Sequence, residues 1–317
     1  MLTSDPLGLA SPADPLGSAL ARAATPQNEV LLTTVFMDKN QYQLKLLQLW
    51  HASLNERARN ALIVGANKQT CRDLKRVQLP CFLDKRQNAT SKGQKINFFG
   101  PQVTLKWWYL REVIRRNYSV FFADADVLFL QDPFQNWKRD FDVQGLSDIR
   151  DVELSVGEYH ELKCKRPWME MMYQYRKEKS TYPCQSIGLM AIKSTPASTA
   201  FIDDMYSYFV NNPTVWDQRA WQLMVMRYTI GLGDDLAPLR YRLFPTSKYI
   251  NVEYYFQRRG EKMDVSQMVA VHCGYINSNA EKLYYMNELA SLKPELRKFL
   301  GSKNVWPGDP TKKHYYI

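Results

Sequence analysis

Three apolar, β-branched runs at residues 29–36, 60–67 and 118–123 alternate with two segments of helical period. No other feature limits the fold as strongly. Runs of this kind suit strands buried on both faces, and the short strand-helix-strand spacing favours right-handed crossovers onto a parallel sheet. Residues 43–59 place Leu44, Leu47, Trp50 and Leu54 on one helical stripe. Residues 104–117 set Leu105, Trp108, Leu110 and Ile114 inward and Arg111, Arg115 and Arg116 outward. The expectation is an α/β, Rossmann-like half. No Gly-x-Gly-x-x-Gly or Walker loop accompanies it, so phosphate must be handled differently.

Beyond this half, residues 143–147 and 187–193 read as strands, and 196–210 and 217–229 as helices. The second of these helices carries an acidic residue at its positive N-terminal end. A late short strand at 268–272 precedes a Gly-Tyr turn and a last helix at 279–289. Residues 1–27 are rich in Ser, Pro, Ala, Gly and Asp, repeat Asp-Pro-Leu-Gly at 5–8 and 14–17, and show no period. They read as a disordered tail, leaving 28–317 as one domain.

The decisive stretch is 119–133, Ser-Val-Phe-Phe-Ala-Asp-Ala-Asp-Val-Leu-Phe-Leu-Gln-Asp-Pro. Asp-x-Asp alone arises by chance about once in a chain of this length, and Asp140-Phe-Asp142 is such an uninformative copy. Context distinguishes Asp124 and Asp126: they end an apolar strand, where uncompensated carboxylates are costly. In an extended segment, residues i and i+2 point to one side, so both carboxylates are expected to face the crevice at the carboxyl edge of the sheet. Hard oxygen ligands there suit Mg²⁺ or Mn²⁺. The alternative is that the two Asp only cap a turn.

Lys plus Arg at 42 against Asp plus Glu at 32 gives +10, a balance that favours anionic ligands without choosing among them. The cysteines, Cys71, Cys81, Cys164, Cys184 and Cys273, lack Cys-x-x-Cys spacing, which argues against structural zinc. In a secretory protein two disulfides and one free thiol are expected, with Cys71–Cys81 and Cys164–Cys184 favoured because each closes a short loop, although spacing alone does not fix connectivity; a cytosolic protein keeps all five reduced. No apolar run is long enough to span a bilayer and the start lacks signal-peptide character, so a membrane enters only through an anchor outside this sequence.

The block at 120–133, Gly145-Leu-Ser-Asp148, Gln185-Ser-Ile-Gly188-Leu-Met, Trp216-Asp217-Gln218 and Val271-His272-Cys-Gly-Tyr occur in an order that resembles glycosyltransferase family 77. This family of nucleotide-diphospho-sugar transferases includes plant and algal arabinosyl-, xylosyl- and galactosyltransferases. The resemblance spans about residues 29–289. It implies a single type A glycosyltransferase domain with a mixed central sheet, a divalent metal (usually Mn²⁺, or Mg²⁺) and retention of anomeric configuration. It also implies a secretory-pathway enzyme of the Golgi lumen that moves a pentose or galactose from a UDP-sugar to a glycan or glycoprotein acceptor.

On that resemblance His272 completes the metal site with Asp124 and Asp126, although a lone strand-end His is more often structural. Asp217 and Gln218 approach donor and acceptor, unless they only cap the helix. Asp148, Gln185 and Ser186 fall after strands, where they can bond sugar hydroxyls. Related transferases more often carry Asn-Ala-Gly or Asn-Thr-Gly where this chain has Gln185-Ser-Ile-Gly188. Lys282 and Lys106 can each reach the donor or lie on a solvated helix face. Two other functions compete: metal-dependent phosphoryl transfer or nuclease action, and a catalytically silent carbohydrate-binding relative. The basic residues are dispersed and no nucleic-acid fold signature occurs, so no nucleic-acid partner is expected.

Overall fold

The computed structural model describes residues 14–36, 41–83, 101–147, 185–212, 215–230, 239–252, 255, 264–274, 276 and 278–303. Asp148, Cys164 and Cys184 lie outside them, as do residues 1–13.

Strands β1 (Glu29–Val35), β2 (Leu62–Gly65) and β3 (Ser119–Ala123) are parallel neighbours, in the order β2-β1-β3. Between them run helices α2 (Gln41–Ser53), α3 (Lys68–Arg76) and α4 (Pro101–Arg115). The sheet continues through β6 (Gln185–Ile192), β5 (Val143–Ser147) and β7 (Tyr241–Leu243). β6 runs antiparallel to both β3 and β5, which makes the sheet mixed. Because β1 and β3 are covered on both faces, alternate residues enter different cores. Val30, Leu32, Val120 and Phe122 pack with Trp107 and Leu110 of α4. Leu31, Phe121 and Ala123 pack with Leu47 and Trp50 of α2. That double burial explains why both strands read as unbroken apolar runs.

A second sheet, in the order β4 (Val127–Phe129), β9 (Ala270–His272), β8 (Tyr249–Asn251), stands beside the first. Helix α5 (Pro196–Asn211) starts at a capping box on Thr195 and Ser198. It is followed by α6 (Asp217–Ile230), and α7 (Asn279–Ala290) and α8 (Pro294–Lys303) close the described chain.

The fold departs from the sequence pattern in four places. The tail is not structureless to residue 27: Pro15–Ala23 forms helix α1, with Leu16 and Leu20 wholly buried beside Val30, Leu32 and Leu62. Proline at its first position and apolar residues one turn apart outweigh the turn-rich composition. The helix is further tied down by Arg116, whose Nε donates to Asp14 at 3.0 Å. Second, α3 is a helix for which the sequence pattern raised no expectation; it begins on the side chain of Asn67, which accepts from the Thr70 N–H. Third, the α4 stripe holds at Leu110 and Ile114, both buried, but differs in the earlier turns. Lys106 and Trp107 are buried while Trp108 is half-buried. Fourth, α2 ends at Ser53 rather than near 59, with the Ser53 hydroxyl turned back onto the Trp50 carbonyl at 2.6 Å.

Cys71 and Cys81 form a disulfide and Cys273 is a buried free thiol, which burial pushes further from ionisation. Among the described residues no helix is long and apolar enough to cross a membrane.

Candidate functional site

Strand β3 ends at Ala123, and the next four residues form a tight turn in which Val127 N–H donates to the Asp124 carbonyl at 3.1 Å. Asp124 and Asp126 therefore meet through a turn, not through the alternation of an extended strand; the expected i, i+2 geometry is corrected, and the expected convergence is present. Asp124 N–H is held by the Gly188 carbonyl of β6 at 2.8 Å, and the Asp126 carbonyl by the Cys273 N–H at 2.9 Å. His272 pairs with Val127 across the β4–β9 ladder, which places its ring beside Asp126.

One ligand atom from each of Asp124, Asp126 and His272 lies within 4.8 Å of the others, so the three can hold one ion. His272 Nε2 faces Asp126 Oδ1 at 3.5 Å, and that oxygen is buried without a hydrogen-bond partner. A buried carboxylate oxygen left unpaired is costly, and a cation between two lone-pair atoms removes the cost. Two oxygen donors and one imidazole suit Mn²⁺ or Mg²⁺. The residues present thus fit a divalent cation.

Two lysines flank the carboxylates. Lys282 of α7 places Nζ 2.6 Å from Asp126 Oδ2. Burial alone raises a carboxyl, but Lys282 and His272 together hold Asp126 well below the usual carboxylate range. Lys106 of α4 is buried, donates to the Ile187 carbonyl at 2.7 Å and stands 3.7 Å from Asp124 Oδ1. Its ammonium also lies 4.4 Å above the centre of the Phe122 ring. Desolvation pushes Asp124 upward despite Lys106, and the Asp126 charge adds to the rise. The Asp124 side chain still opens to the cleft, 39% exposed.

A cavity of about 410 Å³ lies over these groups. Its walls include Asp217 and Gln218 at the start of α6, Ser186 and Gly188 of β6, and Thr34 and Phe36 at the end of β1. Asp217 is buried, its carboxyl pushed up to about 6 by desolvation against the pull of Lys106, with Asp124 adding repulsion. Asp217 Oδ1 accepts from the Gln218 N–H at 3.0 Å.

The expectation for Gln185 is corrected. Its carboxamide accepts from Trp221 Nε1 at 2.6 Å, its carbonyl from Gln222 at 3.4 Å, and it does not line the cavity. The adjacent Ser186 lies on the other side of the strand, facing His272. Asn251 was absent from the sequence expectations: its Oδ1 lies 2.9 Å from His272 Nδ1. A three-residue strand such as Tyr249–Asn251 is too short to show a period, so only its pairing with β9 brings Asn251 to the histidine.

A family model for nucleotide-diphospho-sugar transferases matches residues 57–286. The Arabidopsis thaliana arabinosyltransferase RRA2 is 43% identical over 53 residues, 17% of this chain and 12% of that protein. An uncharacterized Arabidopsis thaliana protein is 26% identical over 166 residues, 47% of this chain and 50% of its own length. The chain therefore spans half or less of these relatives. Among solved structures, the bifunctional glycosyltransferase WbbM superposes with a TM-score of 0.50 at 11% identity, over 87% of this chain and 52% of that one.

Proposed function

The chain belongs to the nucleotide-diphospho-sugar transferase family, and on that premise we propose that it is a metal-dependent glycosyltransferase that takes a pentose or galactose from a UDP-sugar. The acceptor is a glycan or glycoprotein, and transfer proceeds with retention in the Golgi lumen. One observation carries the metal dependence: the unpaired, buried Asp126 Oδ1 turned toward His272 beside Asp124. The Cys71–Cys81 disulfide supports an oxidising compartment.

In this reading Asp124, Asp126 and His272 hold Mn²⁺ or Mg²⁺. When bound, the ion stabilises the charge that develops on the departing nucleoside diphosphate. Lys282 brings positive charge to Asp126 and Lys106 brings it to Asp124, and both orient the donor diphosphate. Asp217 and Gln218 line the wall of the cavity, where a carboxyl and an amide can orient the acceptor hydroxyl and stabilise positive character at the anomeric carbon. Asp148 stays a candidate for the sugar hydroxyls, and Ser186 reaches the cavity beside His272.

The test is incubation with UDP-arabinose, UDP-xylose, UDP-galactose and GDP-sugars, each with Mn²⁺ or with chelator. Slow UDP release that requires the metal is expected, with a rise in melting temperature for the preferred donor. Equal release with chelator ends the metal reading, and turnover of DNA or RNA in place of sugar nucleotides ends the transferase reading.

A further inference from the structure

The imidazole of His272 stands in a slot that its own strand does not build. On one side is Gly188 of β6, where an added Cβ would lie 2.3 Å from Nε2 and 2.4 Å from Cε1. Gly274 also approaches the ring, and a Cβ there would lie 2.8 Å from Cε1 and 3.0 Å from Nδ1. A side chain at either position would meet the ring well inside contact distance. The slot sets the plane of the ring; a second set of contacts chooses which nitrogen carries the proton.

Nδ1 has two neighbours, Asn251 Oδ1 at 2.9 Å and Ser186 Oγ at 3.2 Å. A hydroxyl can donate or accept, so Ser186 does not decide the tautomer. Asn251 does, because its other end is committed: Nδ2 donates to the Ser147 carbonyl at 3.1 Å. Turning the amide over would set its oxygen against that carbonyl and its NH₂ against Nδ1. With the amide held this way, a bare Nδ1 would oppose Oδ1 lone pair to lone pair. The same choice leaves Ser186 Oγ free to accept from Nδ1–H as it accepts from the Gly188 N–H at 3.4 Å.

We propose that Asn251 is a positioning residue that holds His272 in the Nδ1–H tautomer, so that the Nε2 lone pair is presented to Asp126 and to a cation shared with it. The value of that lone pair for metal binding rests on the metal-dependent reading above; the tautomer rests on the 2.9 Å contact at Nδ1, closer than the 3.5 Å at which Nε2 faces Asp126 Oδ1. Asn251 and His272 are register partners in adjacent parallel strands, so this orientation is built into the β8–β9 ladder. Ser147 lies on β5 of the larger sheet, so the amide also links the two sheets.

The test has two readouts besides turnover. Imidazole ¹⁵N shifts of the metal-free protein at a pH where the ring is neutral, assigned by loss of the signals in His272→Gln, show which nitrogen is protonated. Mn²⁺ binding is titrated by loss of the free-ion EPR signal. The wild type is expected to show protonated Nδ1. Asn251→Ala should shift the tautomer toward Nε2–H and weaken Mn²⁺ about 10- to 100-fold. Asn251→Asp keeps an acceptor for Nδ1–H but loses the donor to Ser147, so it separates the two roles of the amide. Retention of the tautomer and most of the Mn²⁺ affinity in Asn251→Asp supports the proposal. Equal loss in Ala and Asp variants overturns it in favour of a purely structural link to β5. A wild-type Nε2–H tautomer, or an unchanged tautomer in Asn251→Ala, also overturns it. A wild type that shows Nδ1–H yet binds no Mn²⁺ defeats the metal reading alone.

Discussion

Gly188→Ala adds one methyl group at the most crowded point beside His272. The new Cβ would stand 2.3 Å from Nε2, 2.4 Å from Cε1 and 2.9 Å from Cδ2, against ordinary contacts of 3.4 Å or more, so ring and strand must separate by about 1 Å. The ring has little room to take up the whole movement, because Gly274 also crowds its Cε1 and Nδ1. A displacement of that size stretches the 2.9 Å bond to Asn251 past useful length and turns Nε2 away from Asp126. Overpacking of this kind costs about 1–3 kcal/mol, a fall in Tm of roughly 2–5 °C for a chain this long. Loss of ligand orientation should weaken Mn²⁺ about 10- to 100-fold. The assays are calorimetry and EPR titration of Mn²⁺, repeated in a His272→Ala background, where the methyl group has space. There the added cost should largely vanish, leaving a coupling energy between positions 188 and 272. Wild-type Mn²⁺ affinity and Tm in Gly188→Ala would refute the slot. An equal cost in both backgrounds would assign the effect to the β6 backbone instead of the ring.

Asp126→Asn keeps volume but removes a ligand and the counter-charge of Lys282, so it should lose roughly two orders of magnitude in Mn²⁺ affinity with transfer nearly abolished; full activity with unchanged Mn²⁺ dependence removes Asp126 from the site. Deleting residues 1–27 should destabilise the protein by about 3–6 kcal/mol, since Leu16 and Leu20 leave the core; an unchanged Tm would show that α1 does not dock. Asp217 ionises at about 6 in the folded chain, above its unfolded value, so its charge costs nothing below about pH 4 and about 3 kcal/mol above pH 6. Asp217→Asn should accordingly stabilise the metal-free protein at pH 8 and leave it unchanged at pH 3.5, and pH-independent denaturation differences would contradict this. Gln218→Ala should lower kcat far more than it weakens UDP binding, with Tm measured alongside because the residue opens α6; a near-wild-type kcat ends its role at the barrier.

What the sequence made legible follows from where the physics is local. Residues 29–36 and 118–123 announce themselves because both faces of β1 and β3 are buried, and the two aspartates stand out against that apolar background. Helix α1 was obscured because the Asp, Pro and Gly at its start are also turn residues, and only Leu16 and Leu20 finding the sheet decides between the two. Lys106 runs against pattern reasoning, since a buried lysine at a core position is stabilised by a carbonyl 81 residues away and by Asp124. The turn at Asp124 depends on β3 and β4 joining different sheets, a fact of topology that no window of residues contains. The same holds for Asn251, whose meaning comes from register with His272.

That change of sheet has a mechanical consequence. Asp124 follows the last strand residue of the six-stranded sheet, Asp126 precedes the first residue of β4, and His272 and Asn251 belong to the three-stranded sheet. The ligand set therefore straddles a seam, and its spacing is a measure of how the two ladders are aligned. Three strands of three residues each offer few bonds with which to resist sliding. Gentle heating or mild denaturant should let the small sheet slip first, so cation binding would fail while the large sheet keeps its circular dichroism. An ion seated across the seam acts as a rivet, and the temperature at which it lets go marks the yield point of the joint.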